Sequence, residues 1–310
     1  MSRRRPPCPL PMRGGVSASR VFMPPGPWRT LFEFLRERFP HVPEHILEAR
    51  LARGDIVDGA GMAQRADKPY QAQGWLWYYR EVPDEAAVPF ELKVLYRDDA
   101  LIAVDKPHFL ASTPGGQYLR ETALTRLREQ LSMPEISPMH RLDRETAGVL
   151  LFCADPDKRG AYQSLFQSRQ VQKEYEAWAP WRADLALPLC HRSHLLAVPG
   201  RFVMQEVPGE PNSETHIEVQ ARQGEWAHYR LRPTTGRKHQ LRVHMNALGI
   251  TICNDRYYPI DQAMDLDDDL SRPLQLLARA IAFPDPFSGQ IRRFESELEL
   301  QGPTTVSVSR

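Results

Sequence analysis

One short stretch, residues 140–143, reads His-Arg-Leu-Asp and places Asp143 between Arg141 and Arg144. An apolar run typical of a buried strand follows it at 147–152. Basic neighbours favour the ionised form of an aspartate, and an ionised carboxylate can act as a nucleophile or a base. A loop leading into a buried strand is also where rigid scaffolds present catalytic groups. Taken alone, the cluster is equally compatible with surface ion pairs.

Three further segments accompany this stretch, at 94–107, 173–178 and 231–244. In order and composition, the four segments resemble the RluA-type family of RNA pseudouridine synthases, over roughly residues 88–300. HRLDRETAGVLLF resembles the family's catalytic motif, and TTGRKHQLRVH followed by GITICND resembles its C-terminal motif. The family's C-terminal motif usually ends in Gly-Asp, whereas this chain has Asn254-Asp255. We interpret this turn as subfamily variation outside the catalytic residues.

The resemblance implies three catalytic residues. Asp143 occupies the position of the family's essential aspartate. Arg237 is expected to pair with Asp143 and to keep its pKa low; the competing interpretation is an exposed phosphate contact. Tyr175 is expected to lie against the uracil, with its phenol a candidate for a later proton transfer; it is also compatible with an aromatic residue of the core.

Further residues are predicted to bind the substrate. A uridine in folded RNA is stacked, so the enzyme must extrude it and fill the gap, and the planar guanidinium of Arg141 suits that role. His140 is expected to assist positioning, and Leu241 to pack under Tyr175. The remaining candidates are basic and nearly as compatible with solvated surface charges: Lys106, Arg144, Lys173, Lys238 and Arg242. Lys106-Pro107 is also compatible with a structural role that fixes the loop after its strand.

The chemistry implied by the resemblance is an isomerisation, which changes no redox state and hydrolyses nothing. We therefore expect neither a metal nor a diffusible cofactor. The four cysteines are widely spaced and include no Cys-x-x-Cys pair, which disfavours a disulfide framework or a zinc ribbon. Apart from Cys190, which directly precedes His191, the histidine pairs at 191/194 and 239/244 have no neighbouring cysteine or carboxylate in the sequence, and metal binding is the less favoured interpretation.

The distribution of charge supports an RNA partner, although the net charge is only +1. Residues 1–32, 158–173 and 230–253 contain basic residues and no acidic ones, whereas 265–269 is an acidic block. Segregated charge suits a polyanion that approaches one face.

The pattern of elements predicts an α+β fold in which a pseudouridine synthase domain surrounds a mixed, largely antiparallel sheet. Apolar runs predict strands at 92–96, 101–104, 149–153, 217–221, 227–231 and 241–245. Helices are predicted at 120–131 and 157–169, the latter capped by the turn at 155–157. Two helices and a small hairpin within 28–82 resemble a divergent S4 domain, an RNA-binding module whose candidate phosphate contacts are Arg50 and Arg53.

The predicted organisation has five parts. A basic, proline-rich, disordered tail spans 1–27, the S4-like domain 28–82, a linker 83–89, the catalytic domain 90–302 and a second tail 303–310. The segment 255–273 is predicted to be a surface insertion. No apolar run approaches a membrane span, so we expect a cytoplasmic protein, and a monomer without a protein partner.

The expected activity is conversion of specific uridines to pseudouridine, in ribosomal RNA first and transfer RNA second. One alternative is a non-catalytic RNA-binding protein, although binding alone does not require Asp143. The other is a glycoside hydrolase, which would need a second carboxylate, with Glu145 as the candidate.

Overall fold

The computed structural model describes residues 7–81, 85–260 and 268–303. The chain divides into two compact units, Met1–Glu85 and Ala86–Arg310. No helix among these described residues is long and apolar enough to cross a membrane.

The first unit contains two helices and a three-stranded sheet. Its elements are β1 (Ser19–Phe22), α1 (Leu31–Arg38), α2 (Glu44–Ala52), β2 (Ile56–Asp58) and β3 (Trp75–Tyr78). Thr30 caps α1 by accepting a hydrogen bond from the backbone N–H of Glu33, which satisfies one free donor of the first turn. Leu35 of α1, Leu51 of α2 and Leu76 of β3 are buried in one apolar core.

Both predicted helices and the predicted hairpin strands are confirmed here, whereas the identity of an S4-like domain stays a prediction. The disordered tail was wrong in part, because β1 pairs with β3 and Val21 is buried. The prediction failed because the prolines of residues 1–27 were given more weight than the short apolar run that forms β1. Arg50 is also buried and donates to the carbonyl of Tyr79, and Arg53 pairs with Asp55 and Glu81, so neither is a ready phosphate contact.

Among its described residues, the second unit contains an eleven-stranded sheet and three helices. Its first elements are β4 (Lys93–Arg97), β5 (Leu101–Lys106), α3 (Ala123–Leu131), β6 (Ser137–Pro138), β7 (Ala147–Cys153), α4 (Arg159–Gln167) and β8 (Gln172–Pro180). The remaining elements are β9 (Leu189–Ala197), β10 (Met204–Val207), β11 (Ser213–Gln223), β12 (Trp226–Pro233), α5 (Gln240–Ala247), β13 (Leu276–Pro284) and β14 (Ile291–Glu295). The main path of the sheet is β10-β9-β11-β12-β8-β13-β7-β5-β4.

The predicted α+β class with a largely antiparallel sheet is confirmed. Among the described strands, β7 and β13 pair in parallel, and the other pairings are antiparallel. Because β5 and β7 are covered on both faces, residues 101–104 of β5 and the whole of β7 are apolar. Helix α3 packs with Val104 and Leu150, and α4 with Ala103 and Leu151.

Two local predictions were wrong. The strand predicted at 241–245 is helix α5. Polar and apolar residues alternate from Gln240 to Met245, which is the pattern of a strand, but in the helix all six are buried. The cap of α4 is Lys158, which makes no side-chain capping bond, whereas Asp155 accepts from the N–H of Asp157 one turn earlier.

Gly148 gives a test of the parallel pairing. Its φ is +109°, and a Cβ there would lie 2.3 Å from the carbonyl oxygen of Ala278 in β13. Gly148→Ala should therefore destabilise the protein by at least about 1–3 kcal/mol, the usual cost of backbone strain. Gly160→Ala is the matched control, since nothing lies within 4 Å and the residue is helical. Urea unfolding of both variants measures the difference, and equal stabilities would contradict this role of Gly148.

Candidate active site

A cleft of about 550 Å³ opens in the second unit, a volume typical of small-molecule and cofactor sites. The loop before β7, strand β8 and the loop that leads into α5 form its walls. The cleft brings together most of the predicted site residues: His140, Arg141, Asp143, Lys173, Tyr175, Arg237, Leu241 and Arg242. Lys106, Arg144 and Lys238 do not belong to its lining.

Asp143 lies on a loop of the cleft wall, and hydrogen bonds of the residues that precede it hold this loop in place. The hydroxyl of Ser112 donates to the carbonyl of Leu142 at 2.7 Å and accepts from its N–H at 3.0 Å. His140 Nε2 accepts from the N–H of Leu151 at 3.2 Å, and its ring stacks on Phe166. His140 therefore holds the loop against β7, and because it also lines the cleft, its part in positioning the substrate stays a prediction.

The guanidinium within ion-pair distance of Asp143 belongs to Arg242, with Nη1 3.8 Å from Oδ2. The predicted pairing of Asp143 with Arg237 was wrong. Arg237 is exposed, and its Nε donates to the carbonyl of Asn212 at 3.1 Å. The predicted phosphate contact of Arg242 was also wrong, because this side chain is only 1% exposed. The error followed from reading 241–245 as a strand, since helix α5 turns Arg242 inward.

Arg242 binds two further carboxylates below Asp143. Its Nε and Nη2 donate to both oxygens of Asp255 at 2.7 and 2.6 Å, a bidentate pair. Its Nη1 lies 3.5 Å from Glu145 Oε2. Glu145 is thus part of a buried network, which disfavours its use as the second carboxylate of a glycoside hydrolase.

Burial raises the pKa of Asp143, the positive charge of Arg242 opposes this shift, and the negative charge of Asp255 adds to it. The predicted low pKa was therefore wrong in direction. The physical reason is burial, the largest cause of the raised pKa, which the charge of Arg242 only partly offsets because Asp255 binds two nitrogens of the same guanidinium.

The turn Asn254-Asp255 was predicted to lie outside the catalytic residues, and it does not line the cleft, but it supports the site. The side chain of Asp255 is 0% exposed and anchors Arg242. Asn254 has φ +61°, the left-handed region that asparagine tolerates better than most residues. This backbone requirement explains how asparagine can replace the glycine of the family's usual motif. Of the predicted insertion 255–273, residues 261–267 lie outside the described residues.

Tyr175 is half-buried on β8 and packs against two apolar clusters, which contain Leu142 and Leu241. The predicted packing of Leu241 with Tyr175 is in keeping with the cluster that they share. Burial raises the pKa of Tyr175, and the charge of Asp143 raises it further. The phenol is therefore protonated at neutral pH.

Two of the predicted substrate contacts are structural instead. Lys106 is fully buried, and its ammonium donates to the carbonyls of Pro107, Leu110 and Arg144 at 2.8–3.1 Å. Burial lowers the pKa of Lys106 to about 7, although the charge of Glu145 opposes the shift. Arg144 forms a bidentate pair with Asp268, and its guanidinium lies 4.8 Å from the ring of Tyr118.

The other basic candidates lie at the cleft or beside it. Arg141 is exposed in the lining. Lys173 donates to the carbonyl of Thr235 at 2.6 Å, and burial lowers its pKa to about 8. Lys238 donates to the carbonyl of Phe202 at 2.8 Å, and burial is the main cause of the lowered pKa of its ammonium.

The histidine pairs have hydrogen-bond partners that the sequence did not reveal. His191 Nε2 lies 2.8 Å from Glu206, so the expectation that no carboxylate stands beside these histidines was wrong. Two groups have ligand atoms within 4.8 Å of one another: His191, Glu206, His244 and, separately, Cys190, Glu214, His216. Both nitrogens of His244 bond hydroxyl groups, so an ion in the first group would have to displace them.

Comparisons with known proteins agree with this geometry. A sequence model for RNA pseudouridylate synthase matches residues 100–247. The dual-specificity RNA pseudouridine synthase RluA of Vibrio vulnificus is 36% identical, over 64% of this chain and 80% of its own. The corresponding protein of Salmonella typhimurium is 32% identical, over 66% of this chain and 92% of its own. An RNA pseudouridine synthase of Synechocystis is 30% identical, over 74% and 79%.

The chain belongs to the RluA-type family of RNA pseudouridine synthases.

Solved structures support the same fold. The human RNA pseudouridylate synthase domain-containing protein 1 superposes with a TM-score of 0.54 at 22% identity, over 69% of this chain and 86% of that one. Its human homologue numbered 4 has a TM-score of 0.52 at 24% identity, over 67% and 88%. These structures confirm the predicted fold, and the sequence relatives confirm the predicted family and its enzymatic role. A purely non-catalytic RNA-binding protein is correspondingly disfavoured for this pseudouridine synthase.

Two arginine variants distinguish the observed pairing from the predicted one. Arg242→Leu should cost about 3–5 kcal/mol of unfolding free energy, because it leaves buried carboxylates without their cation. Arg237→Leu should change it by less than about 0.5 kcal/mol, as expected for an exposed residue. Chemical denaturation measures both. A larger loss in the Arg237 variant would contradict the network described here.

Proposed function

We propose that Asp143 is the carboxylate that acts on the target uridine. The observation that carries this proposal is the exposure of the three carboxylates around Arg242. The side chain of Asp143 is 28% exposed, whereas those of Glu145 and Asp255 are 5% and 0% exposed. A substrate in the cleft can therefore reach Asp143, while the other two hold the cation that positions it.

Pseudouridine formation detaches uracil from C1′ of its ribose and rejoins it through C5. Three routes are open to Asp143: attack on C1′, addition to the uracil ring, or removal of a sugar proton. Each needs the ionised carboxylate, so the charge of Arg242 supports the reactive form against the effect of burial. The detached uracil must stay in the cleft, which favours an enclosing apolar wall such as that of Tyr175 and Leu241.

Tyr175 is proposed to lie against the uracil ring and to take part in the transfer of the C5 proton. Its raised pKa means that it enters the reaction as a neutral phenol, because burial disfavours the phenolate. The hydroxyl can then accept a proton only while it passes its own to another group. The charge of Asp143 acts on this phenol, and Asp143 is therefore a candidate acceptor.

The exposed cations of the cleft are proposed to bind RNA. Arg141 lies beside Asp143 and can stack in the gap that the extruded uridine leaves. Arg237 is better suited to a phosphate contact than to the pairing first predicted, because it is exposed. These contacts should weaken with salt.

We propose ribosomal RNA as the first target and transfer RNA as the second. The name of the RluA relatives, dual-specificity RNA pseudouridine synthase, supports examination of more than one RNA pool. The N-terminal unit is proposed to contribute to target choice as an S4-like module, in a cytoplasmic, monomeric enzyme.

The first test maps pseudouridines in ribosomal and transfer RNA of cells that lack the protein. Wild-type protein should restore a site that the deletion abolishes. Asp143→Asn should not restore it, because the amide keeps the shape of the side chain and removes its charge. The purified variant should bind the same RNA within about threefold of wild type, since the RNA contacts of neighbouring cations remain. Restoration by Asp143→Asn would refute the proposed role.

Tyr175→Phe tests the phenol separately from the ring. The variant keeps the apolar contacts with Leu142 and Leu241 but loses the hydroxyl. We expect kcat to fall about 10²-fold or more, the range of general acid–base catalysis, and KM to stay nearly constant. Release of tritium from C5 of labelled RNA measures the change in rate, and single-turnover conditions isolate the chemical step. A wild-type rate would show that the phenol moves no proton.

A further inference from the structure

An exposed aromatic residue, Phe202, lies in the connection between β9 and β10. The residue is 63% exposed, although phenylalanine usually contributes to a core. Single exposed apolar residues are common and need no explanation by themselves. The surroundings of Phe202 are what distinguish it.

Phe202 is held in place by a lysine and two rings. Lys238 Nζ lies 3.4 Å from the centre of its ring and donates to its backbone carbonyl at 2.8 Å. The ring centre lies 5.4 Å from that of His239 and 5.7 Å from that of Tyr257. The exposed ring therefore has a fixed position and a cation in contact with it.

The ring lies one side chain away from the cleft. His239, which contacts Phe202, belongs to the cleft lining, as does Arg237 on the other side of Lys238. Lys238 is also close enough to feel the charge of Asp143. A nucleotide next to the target uridine would therefore lie close to Phe202 and Lys238, where the RNA strand leaves the cleft.

Extrusion of a uridine leaves its neighbours without a stacking partner. Proteins that bind unstacked nucleotides use exposed aromatic rings for the bases and nearby cations for the phosphates. Phe202 and Lys238 combine these two chemistries at the rim of the cleft.

We propose that Phe202, supported by Tyr257 and Lys238, is a subsite that stacks one base adjacent to the target uridine. Lys238 contacts the phosphate of the same nucleotide with the donors that its bond to Phe202 leaves free. The subsite rests on the proposed function, because it requires that RNA enters the cleft with an extruded uridine. It adds affinity without reading sequence, since every base has a stacking face.

The chain offers a matched control in Phe287, which is 56% exposed and has Lys158 Nζ 5.6 Å from its ring centre. Phe287 lies outside the cleft lining and packs on Tyr162. The two phenylalanines therefore share exposure and a lysine partner and differ in their distance from the site.

The experiment measures turnover of a stem-loop transcript that contains the uridine identified by mapping. Phe202→Ala should raise KM about 10-fold, within the range for loss of one base-aromatic stack, and leave kcat within about twofold. Phe202→Trp should restore KM, because indole also stacks. Phe287→Ala should match wild type in both constants.

A fluorescence titration with the same transcript reads stacking directly. On addition of RNA, the fluorescence of the Phe202→Trp protein should be quenched more than that of the wild type with its six native tryptophans. The Phe287→Trp protein should show no such additional quenching. Unchanged KM in Phe202→Ala, together with active wild type, overturns the subsite and leaves the proposed function intact. A wild type that forms no pseudouridine refutes the proposed target instead, and quenching in the titration still decides whether Phe202 meets a base. If Phe202→Ala changes only self-association in sedimentation, the ring contacts a second copy, and the subsite is refuted.

Discussion

The buried guanidinium of Arg242 is the interaction on which the active site depends. A charge that is 1% exposed is stable only if its hydrogen bonds are satisfied, and here three carboxylates surround it. Those carboxylates come from separate parts of the chain, the loop before β7 and the turn at Asp255. These ion pairs of Arg242 therefore hold helix α5 against the loop before β7 and against the turn at Asp255. The position of Asp143 in the cleft is a consequence of this packing rather than of its own loop alone.

The sharing of one cation among three carboxylates also sets the chemistry. Asp255 takes the closest, bidentate contact at 2.6–2.7 Å, while Asp143 lies 3.8 Å from the guanidinium. Arg242 thus orients Asp143 without neutralising it in a tight pair. A looser contact leaves the carboxylate oxygens available to a substrate, and it leaves burial as the larger influence on the pKa of Asp143.

Local patterns predicted much of the fold, and the family resemblance singled out Asp143, which lies in the cleft, but neither predicted the partners of Asp143. The apolar runs of β5 and β7 are unambiguous because strands covered on both faces have no polar alternation. Helix α5 looked like a strand for a different reason, because polar and apolar residues alternate from Gln240 to Met245, and this error turned Arg242 into a surface residue. Arg237 was then preferred as the partner because it follows a Thr-Gly turn within the motif. Contacts such as Arg242 with Asp255 depend on where elements pack, and no spacing in the sequence encodes that.

Successive side chains of strand β8 alternate between the cleft and the opposite face of the sheet. Lys173 and Tyr175 point into the cleft, whereas Glu174 and Glu176 on the opposite face pair with Arg230 and Arg279. The cleft face thus carries an ammonium whose pKa burial lowers to about 8 beside a phenol whose pKa burial raises. Both shifts have the same origin, the removal of water from the cleft wall. In the reaction proposed above, the same packed surface would also retain the detached uracil, so one wall would account for both the perturbed pKa values and the retention of the intermediate.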